Sequence, residues 1–284
     1  MDDSKFLITG ADGQLGRALQ AKYPNARATD SQELDITDQQ AVSDFDWGNI
    51  STIINAAAYT DVDGAETQEG RVAAWRVNGH GVVNLTAAAI KHDVTLVHIS
   101  TEYVFDGRQN PHTEDEPFSP LSVYGASKAA GEIVASMAPK HYILRASWLV
   151  GDGKNFVRTM LGLGQNGTAP TVVADQIGRL TFSDELVKAI DHLLKQGSVY
   201  GVYNVSSDGQ PASWADVARE IFKNAGFSLQ VTDTTTEKYY ANKPTSAKRP
   251  LSSVFDLTKI KSTGLKLQDW RDDLKVYISK ELNR

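Results

Sequence analysis

The chain has 284 residues, of which 41% are hydrophobic and 23% are charged, and its formal net charge is −6. This length suits one α/β domain with a smaller appended domain, and the negative charge argues against a nucleic-acid or membrane partner. Because the chain has no cysteine, disulfides, thiolate catalysis and zinc–sulfur sites are excluded. The acidic first residues and the lack of any apolar run near ~20 residues predict a cytoplasmic protein without a signal peptide.

Short apolar runs alternate with amphipathic segments in the first half of the chain, which predicts βαβ units and a doubly wound parallel sheet. Strands are predicted at Lys5–Thr9, Ala26–Thr29, Thr52–Asn55, Thr95–Ser100 and Tyr142–Ala146. Helices are predicted from Gln14, over 71–92 with an interruption at Gly79 and Gly81, over Ser122–Ala138, and near Phe182–Lys195 and Trp214–Ala225. The pattern changes after residue 150, so we expect one domain over 1–150, with a return contribution from about 175–205, and a smaller one over 151–284.

Three glycines, Gly10, Gly13 and Gly16, lie between the first predicted strand and the first predicted helix. Glycines at this position let the backbone approach the pyrophosphate of a dinucleotide, which the free N–H groups of the helix start then face. The spacing G-x-x-G-x-x-G resembles that of the short-chain dehydrogenases/reductases. The motif therefore predicts a Rossmann-type NAD(P)-binding domain over 1–150.

Asp30 ends the second predicted strand, about twenty residues after the glycines, where a carboxylate accepts hydrogen bonds from an adenosine ribose. The same residue is also typical of a turn. Arg17 directly follows the third glycine and favours a 2′-phosphate, whereas Asp30 disfavours it. The sequence leaves NADPH and NADH both open.

The predicted strand ends carry the next candidate residues. The third strand ends in Asn55-Ala56-Ala57-Ala58-Tyr59, whose alanines are small enough for a cofactor to approach the backbone closely. Alanines at such positions also serve simply to pack a helix on a sheet. Ile99-Ser100-Thr101-Glu102-Tyr103 brings hydroxyl groups to the same edge, where ligands bind in open α/β sheets.

Tyr124 and Lys128 are four residues apart on a predicted helix, so both side chains share one face. We expect the ammonium to lower the pKa of the phenol from ~10 and to make it an acid–base group. Thr101, at the preceding strand end, is placed to hydrogen-bond a carbonyl oxygen. Its alternative role is that of a cap.

Eight motifs occur in order along nearly the whole chain: ITGADGQLG, LDITD, NAAAYTDVDGAE, HISTEYVFDG, YGASK, RASWLVG, DQIGR and KRPLSSVFD. In these motifs the chain resembles the dTDP-4-dehydrorhamnose reductases, extended members of the short-chain reductases. The resemblance implies NADPH- or NADH-dependent reduction of the 4-keto group of a dTDP-sugar to form dTDP-L-rhamnose, with the substrate bound mainly by 151–284.

The same resemblance implies a set of site residues. The catalytic set is Thr101, Tyr124 and Lys128. The cofactor residues are Gly10, Gly13, Gln14, Leu15, Gly16, Asp30, Asp35, Ile36, Ala58, Tyr59, Thr60, Tyr124 and Lys128. The substrate residues are Thr101, Glu102, Tyr103, Trp148 and Arg249.

The chain departs from the family pattern at three positions. Leu180 stands where the family has a proline, which changes the rigidity of that loop. Glu102 stands where the family usually has aspartate, which keeps the carboxylate and moves it outward by one methylene. Ala18 stands where metal-linked dimers of the family have a glutamate, so we expect no metal site.

Some candidates keep a purely structural alternative. Trp148 is equally typical of an ordinary buried core. The pair Lys248-Arg249 is typical of a solvated loop, and its alternative role is to bind the diphosphate. We expect 114–116, Glu-Asp-Glu, to form a solvated acidic turn, and the histidines show no shared metal-ligand spacing.

Two other functions stay open at this point. One is a non-catalytic NADP-binding regulatory subunit, like that of methionine adenosyltransferase, and the other is a reductase or epimerase for a different nucleotide sugar. The chain is expected to be a monomer or a weak homodimer, and fusion to or association with the preceding epimerase stays open.

Overall fold

A computed structural model describes residues 1–243 and 245–283. The strands are β1 (Phe6–Thr9), β2 (Arg27–Thr29), β3 (Thr52–Asn55), β4 (Thr95–Thr101), β5 (His141–Ala146), β6 (Leu149–Val150), β7 (Thr171–Val173), β8 (Ile177–Gly178), β9 (Thr181–Phe182), β10 (Gly201–Val205), β11 (Ala212–Ser213) and β12 (Thr232–Thr234).

The helices are α1 (Gln14–Lys22), α2 (Gln39–Asp44), α3 (Gln68–Trp75), α4 (Val82–Lys91), α5 (Val123–Ala135), α6 (Phe156–Gln165), α7 (Ser183–Gln196), α8 (Trp214–Ala225), α9 (Thr236–Tyr240), α10 (Thr258–Ser262) and α11 (Trp270–Leu282). Short 3₁₀ turns lie at Asp3–Lys5, Gly64–Glu66 and Glu102–Val104. Within the described residues, no helix is long and apolar enough to cross a membrane.

Six parallel strands form the main sheet in the order β2-β1-β3-β4-β5-β10. This is the predicted doubly wound, Rossmann-type sheet, so the fold class is confirmed. The chain runs outward in opposite directions from β1 and from β3, which makes the gap between their carboxyl ends the place where such sheets bind ligands.

Both faces of the sheet are buried, because successive residues of each central strand point to opposite sides. On one face, Ile8, Ile54 and Val97 pack with residues of α1 and α7. On the other face, Leu7, Ile53, Leu96 and Ile143 pack with residues of α4. Phe255, Leu257, Ile260 and Leu265 also join the first face, so a segment from the second half of the chain contributes to the core of the main sheet.

A separate apolar cluster lies within the second half of the chain. It combines residues of α6, α8 and α11, among them Met160, Phe222 and the fully buried Trp270. Small sheets of two strands, β7 with β12, β8 with β11 and β6 with β9, surround it. The predicted division at residue 150 stays a prediction.

The predicted long helix over 71–92 is interrupted where its glycines indicated. Between α3 and α4 the chain forms a π-helical segment over Arg76–Gly81. A Cβ at Gly81 would lie 2.7 Å from the Ile36 side chain, so the helix packs too closely there for a larger residue. The segment also carries the buried Asn78, and helix irregularities of this kind occur frequently at functional sites.

Candidate active site

Three adjoining cavities run along the carboxyl edge of the main sheet. The outer cavity, of about 390 Å³, lies beside the end of β2, and the central cavity, also about 390 Å³, lies beside the ends of β3 and β4. The aromatic cavity, of about 260 Å³, lies against α8 and α9. The outer and central cavities share Gly13 and 56–58, and the central and aromatic cavities share Tyr103, Trp148 and Trp214.

Most of the residues predicted for the site line these cavities. The outer cavity has Gly10, Gly13, Asp30, Asp35, Ile36 and Ala58. The central cavity has Gly13, Gln14, Leu15, Ala58, Thr60, Thr101, Glu102, Tyr103, Tyr124, Lys128 and Trp148. The aromatic cavity has Tyr103, Trp148 and Arg249.

The glycine turn between β1 and α1 allows close backbone packing. Gly10 has a φ of +73°, and a Cβ there would lie 2.6 Å from the Cα of Ala57. A Cβ at Gly16 would collide with the carbonyl oxygen of Gly10, so Gly16 serves the packing of α1 on the turn and is not in the lining of the outer or the central cavity. Gly13 is the N-cap of α1, whose first N–H groups are available to a pyrophosphate. The turn therefore fits a dinucleotide.

Asp30 combines the two roles that the sequence left open. It lines the outer cavity, and its Oδ1 accepts hydrogen bonds from the backbone N–H groups of Gln32 at 2.7 Å and Glu33 at 3.1 Å. These hydrogen bonds hold the pKa of Asp30 below its usual value. A carboxylate that stays ionised at this position disfavours a 2′-phosphate.

Arg17 does not have the position expected for a 2′-phosphate ligand. Its guanidinium donates to the backbone carbonyls of Asp12 and Asp152, and it lines a different surface cavity, beside Ala18 and Tyr277. The expectation that Arg17 favours NADPH is wrong for this reason. The Arg17 side chain holds the loop at Asp152 and does not reach the outer cavity.

Tyr124 and Lys128 lie on the buried face of α5, with 9% and 3% of their surfaces exposed. Ser122 caps this helix, because its side chain accepts a hydrogen bond from the N–H of Gly125 at 3.1 Å. The Lys128 ammonium donates to the carbonyl oxygen of Ile99 at 2.6 Å, at the end of β4. Helix and strand end thus meet at the central cavity.

Thr101 is both a cap and a cavity residue. Its Oγ1 accepts a hydrogen bond from the N–H of Tyr103 at 3.3 Å and donates one to Oε2 of Glu102 at 2.8 Å. The Tyr103 ring meets the Tyr124 ring edge to face, with centroids 5.4 Å apart. These contacts bring the Thr101 hydroxyl, the Glu102 carboxyl and the Tyr124 phenol together.

Burial determines the ionisation of this cluster. It raises the pKa of Tyr124 well above its ordinary value, and the Glu102 carboxyl raises it further. Burial also lowers the pKa of Lys128 to about 8, partly offset by Glu132, and raises the pKa of Glu102 to about 7. The expectation that Lys128 lowers the pKa of Tyr124 is therefore wrong in this structure, because the loss of solvent dominates and the opposing shift comes from the Thr101 hydroxyl.

A buried ion pair between Glu132 and Arg145 anchors α5 to the main sheet. Glu132, one turn after Lys128, accepts hydrogen bonds from Nε of Arg145 at 2.9 Å and from its Nη2 at 2.5 Å. It also accepts a hydrogen bond from the Ser100 hydroxyl at 2.6 Å. The pair joins α5 to the ends of β4 and β5.

The aromatic cavity is built on a stacked pair of tryptophans. Trp148 has a φ of +46°, and its ring stacks on Trp214 with centroids 3.7 Å apart and planes 16° apart. Gly178 permits this position, because a Cβ there would lie 2.8 Å from the Trp148 ring. Trp148 lines both the central and the aromatic cavity, which ordinary core packing does not explain. Such a backbone conformation is typical of functional sites.

Arg249 forms the polar side of the aromatic cavity. Its Nη2 donates to Oδ2 of Asp63 at 2.8 Å, and its guanidinium carbon lies 4.7 Å from the centre of the Tyr240 ring. The residue is thus fixed in the cavity wall and is not part of a freely solvated loop.

Comparison with known proteins agrees with this geometry. A family profile described as "RmlD substrate binding domain" matches residues 4–283. A curated dTDP-4-dehydrorhamnose reductase from Aggregatibacter actinomycetemcomitans is 42% identical and covers 96% of this chain and 97% of its own. The chain belongs to the dTDP-4-dehydrorhamnose reductase family.

Solved structures with these names superpose closely on the chain. A dTDP-4-dehydrorhamnose reductase from Clostridium acetobutylicum has a TM-score of 0.90 at 39% identity, covering 98% of this chain and 99% of its own. One from Bacillus anthracis, solved in complex with NADP, has a TM-score of 0.89 at 36% identity, covering 97% and 98%.

The structure adds residues that the sequence did not single out. The Asn78 side chain accepts a hydrogen bond from the N–H of Tyr59 at 2.9 Å and donates to the carbonyl oxygen of Tyr59 at 3.1 Å and to Ser127 at 3.0 Å. It fixes the loop after β3. The Tyr59 ring packs near Tyr124 and is not in the lining of the outer or the central cavity. The glycines flanking Asn78 were the available signal, whereas nothing in the sequence marked Trp214 or Tyr240.

The acidic segment 114–116 is not the solvated turn that we expected. Oε2 of Glu116 and Nδ1 of the buried His112 form a hydrogen bond of 2.7 Å. Oε1 of Glu114 accepts a hydrogen bond from the backbone N–H of Asn204 at 3.0 Å. Both carboxylates therefore tie the segment to neighbouring elements, and only Asp115 is exposed. Among residues 1–243 and 245–283, no group of three or more histidines and carboxylates is arranged to hold a metal.

Proposed function

We propose that the protein reduces the 4-keto group of dTDP-4-dehydro-L-rhamnose to dTDP-L-rhamnose, using NADPH or NADH. One observation carries the proposal. Thr101, Tyr124 and Lys128 line one cavity, which joins a dinucleotide-type glycine turn on one side and an aromatic cavity on the other. This arrangement brings an acid–base group between a hydride donor and a nucleotide-linked carbonyl.

The cofactor would lie along the outer and central cavities. Gly10, Gly13, Gln14 and Leu15 would hold the pyrophosphate, with Asp30, Asp35 and Ile36 at the adenosine end. Ala58, Thr60 and the Tyr59 backbone would line the path to Lys128. When bound, NAD(P)H supplies the hydride that reduces the sugar carbonyl carbon.

The protein's own groups manage the proton and the charge. Because burial keeps its pKa high, Tyr124 stays protonated at neutral pH and can give its proton to the alkoxide oxygen that forms on the sugar. The Thr101 hydroxyl would hydrogen-bond the same oxygen and orient the carbonyl. The Lys128 ammonium would hold the nicotinamide ribose.

The substrate would occupy the remaining side of the site. Trp148 and Trp214 present aromatic surface to the sugar and to the base, and Tyr103 separates the two cavities. Arg249 is a suitable partner for the diphosphate, because a guanidinium binds phosphate oxygens in pairs. Glu102 faces the sugar from the central cavity.

The test is reduction of the 4-keto dTDP-sugar, followed by cofactor oxidation and by chromatography of the product. Tyr124→Phe should lower kcat by ~100-fold or more, because it removes the proton and keeps the ring. NADPH binding, measured by fluorescence, should be unchanged. Tyr200→Phe is the matched control, since Tyr200 is exposed and lies against Tyr142, away from the cavities.

The same experiment separates the other functions. Cofactor binding without oxidation of NAD(P)H by any keto sugar would indicate a regulatory subunit. Faster reduction of a different nucleotide sugar would show that the protein is a reductase with another substrate. Near-native turnover of Tyr124→Phe would remove this tyrosine from the mechanism.

The finer expectations are part of this proposal. They are the boundary near residue 150 with the return contribution from about 175–205, a cytoplasmic location, and a monomer or weak homodimer. Association with the preceding epimerase would be tested by co-purification of the two proteins.

A further inference from the structure

Glu102 is a buried carboxyl that the proposed reaction leaves without a proton-transfer role. Only 3% of its surface is exposed, although it belongs to the wall of the central cavity. Its Oε2 accepts the Thr101 hydroxyl hydrogen bond at 2.8 Å. The Thr101 hydroxyl and the Tyr124 phenol line the same cavity, and the hydroxyl acts to lower the pKa of the phenol. The Glu102 carboxyl is therefore hydrogen-bonded to a hydroxyl that shares the central cavity with the proton donor, Tyr124.

We propose that Glu102 supplies, through the Thr101 hydroxyl, the proton that restores Tyr124 after each reduction. This inference rests on the proposed function, because it concerns the acid of that same reaction. It assigns Glu102 to proton supply rather than to binding of the sugar alone.

The proton balance of the relay is simple. Tyr124 gives its proton to the alkoxide that the hydride has produced, and a phenolate is left. The Thr101 hydroxyl passes its proton to the phenolate as Glu102 passes its own to Thr101 Oγ1. Glu102 is left as a carboxylate, and water entering the central cavity after product release returns the proton to it. No oxidant or reductant beyond the cofactor is required.

The surroundings of Glu102 suit a carboxyl that gains and loses a proton near neutral pH. Burial raises its pKa to about 7, while hydrogen bonds from Thr101, Ser253 and the backbone of Trp148 oppose the shift. Among titratable groups, Tyr103 and Tyr124 feel the charge of Glu102, and Arg249 in turn acts to lower the pKa of Tyr103.

Lys128 has a separate position and a separate titration. Its ammonium is held by the carbonyl oxygen of Ile99 at 2.6 Å, and its pKa is lowered to about 8. The ionisation of Glu102 and that of Lys128 should therefore appear as two steps on the alkaline side of the pH profile. Removing the carboxyl should remove only the first step.

The experiment compares the first turnover with the steady state by rapid mixing of the enzyme, NADPH and the 4-keto dTDP-sugar. In Glu102→Gln, Tyr124 begins protonated, so the first turnover should be slowed much less than the later ones. Later turnovers should be at least about tenfold slower, because proton return no longer has an acid. The trace should show a burst of NADPH oxidation equal to the concentration of active sites.

The pH profile of kcat is the second measurement. The wild-type rate should fall as the pH rises above about 7, and this step should be absent in Glu102→Gln while the step near 8 remains. Glu102→Asp keeps an acidic proton and should show no burst and a rate within about threefold of the wild type. Glu102→Met replaces the amide variant if that protein does not fold.

The outcomes distinguish the relay from other roles. Equal slowing of the first and later turnovers, or a raised KM with an unchanged pH profile, would show that Glu102 only binds the sugar, and would overturn the relay. Unchanged steady-state turnover in Glu102→Gln would also overturn the relay. A wild-type protein that does not reduce the keto sugar would instead refute the proposed function and the relay with it.

Discussion

Replacing Glu132 by alanine should destabilise the protein strongly, because it leaves a buried cation without its carboxylate. The side chains of Arg145 and Glu132 are only 3% and 2% exposed. Glu132 accepts hydrogen bonds from Nε and Nη2 of Arg145 and from the Ser100 hydroxyl. In Glu132→Ala, Arg145 would keep the carbonyl oxygen of Glu114, at 2.9 Å, as a hydrogen-bond acceptor.

The size of the effect follows from this burial. Removing one partner of a buried ion pair costs about 3–5 kcal/mol, because the remaining charge has lost both its solvent and its partner. For a chain of this size, about 2–4 °C of melting temperature is lost per kcal/mol, so a drop of roughly 6–20 °C is expected. Glu132 also raises the pKa of Lys128, so its removal should move the alkaline limb of kcat further below 8.

Urea unfolding monitored by circular dichroism measures the loss. Glu69→Ala, at an exposed position on α3, is the control and should cost less than about 1 kcal/mol. The double variant Glu132→Leu with Arg145→Met should lose less than Glu132→Ala alone, since it leaves no unpaired charge. A loss below about 1 kcal/mol for Glu132→Ala would refute the reasoning.

Three further predictions concern the cofactor, pH and metals. Both cofactors should be accepted within ~100-fold, and Asp30→Ser should raise the affinity for NADPH relative to NADH in fluorescence titrations, since it removes like-charge repulsion of the 2′-phosphate. Burial raises the pKa of Glu102 from 4.5 to about 7, so the folded state holds a proton that the unfolded chain releases. Stability should therefore fall by up to about 3 kcal/mol as the pH rises from about 4.5 to about 7, and urea titrations of Glu102→Gln should lack this fall. Activity should be unchanged in excess EDTA, since Ala18 offers no oxygen ligand. Activity lost on chelation and restored by magnesium would contradict this.

Much of the fold was predictable because it depends on local pattern. The strands that became β1 to β5 and the glycine turn follow from short apolar runs and from residues without a Cβ. The spacing of Tyr124 and Lys128 brings them to one face of α5 for the same reason, since helix geometry alone relates residues four apart. Gly79 and Gly81 likewise marked the irregular turn between α3 and α4.

Other features depend on contacts between residues that are distant in the sequence. Arg17 is turned toward Asp152, Glu116 is buried against His112, and Trp148 stacks on Trp214. No local pattern specifies such a partner, because it arises only when separate segments pack together. The sequence by itself determined which groups are present at the sheet edge and in which order. The tertiary structure decided their ionisation, because the pKa values of Tyr124, Glu102 and Lys128 depend on how completely the packed chain removes water from them.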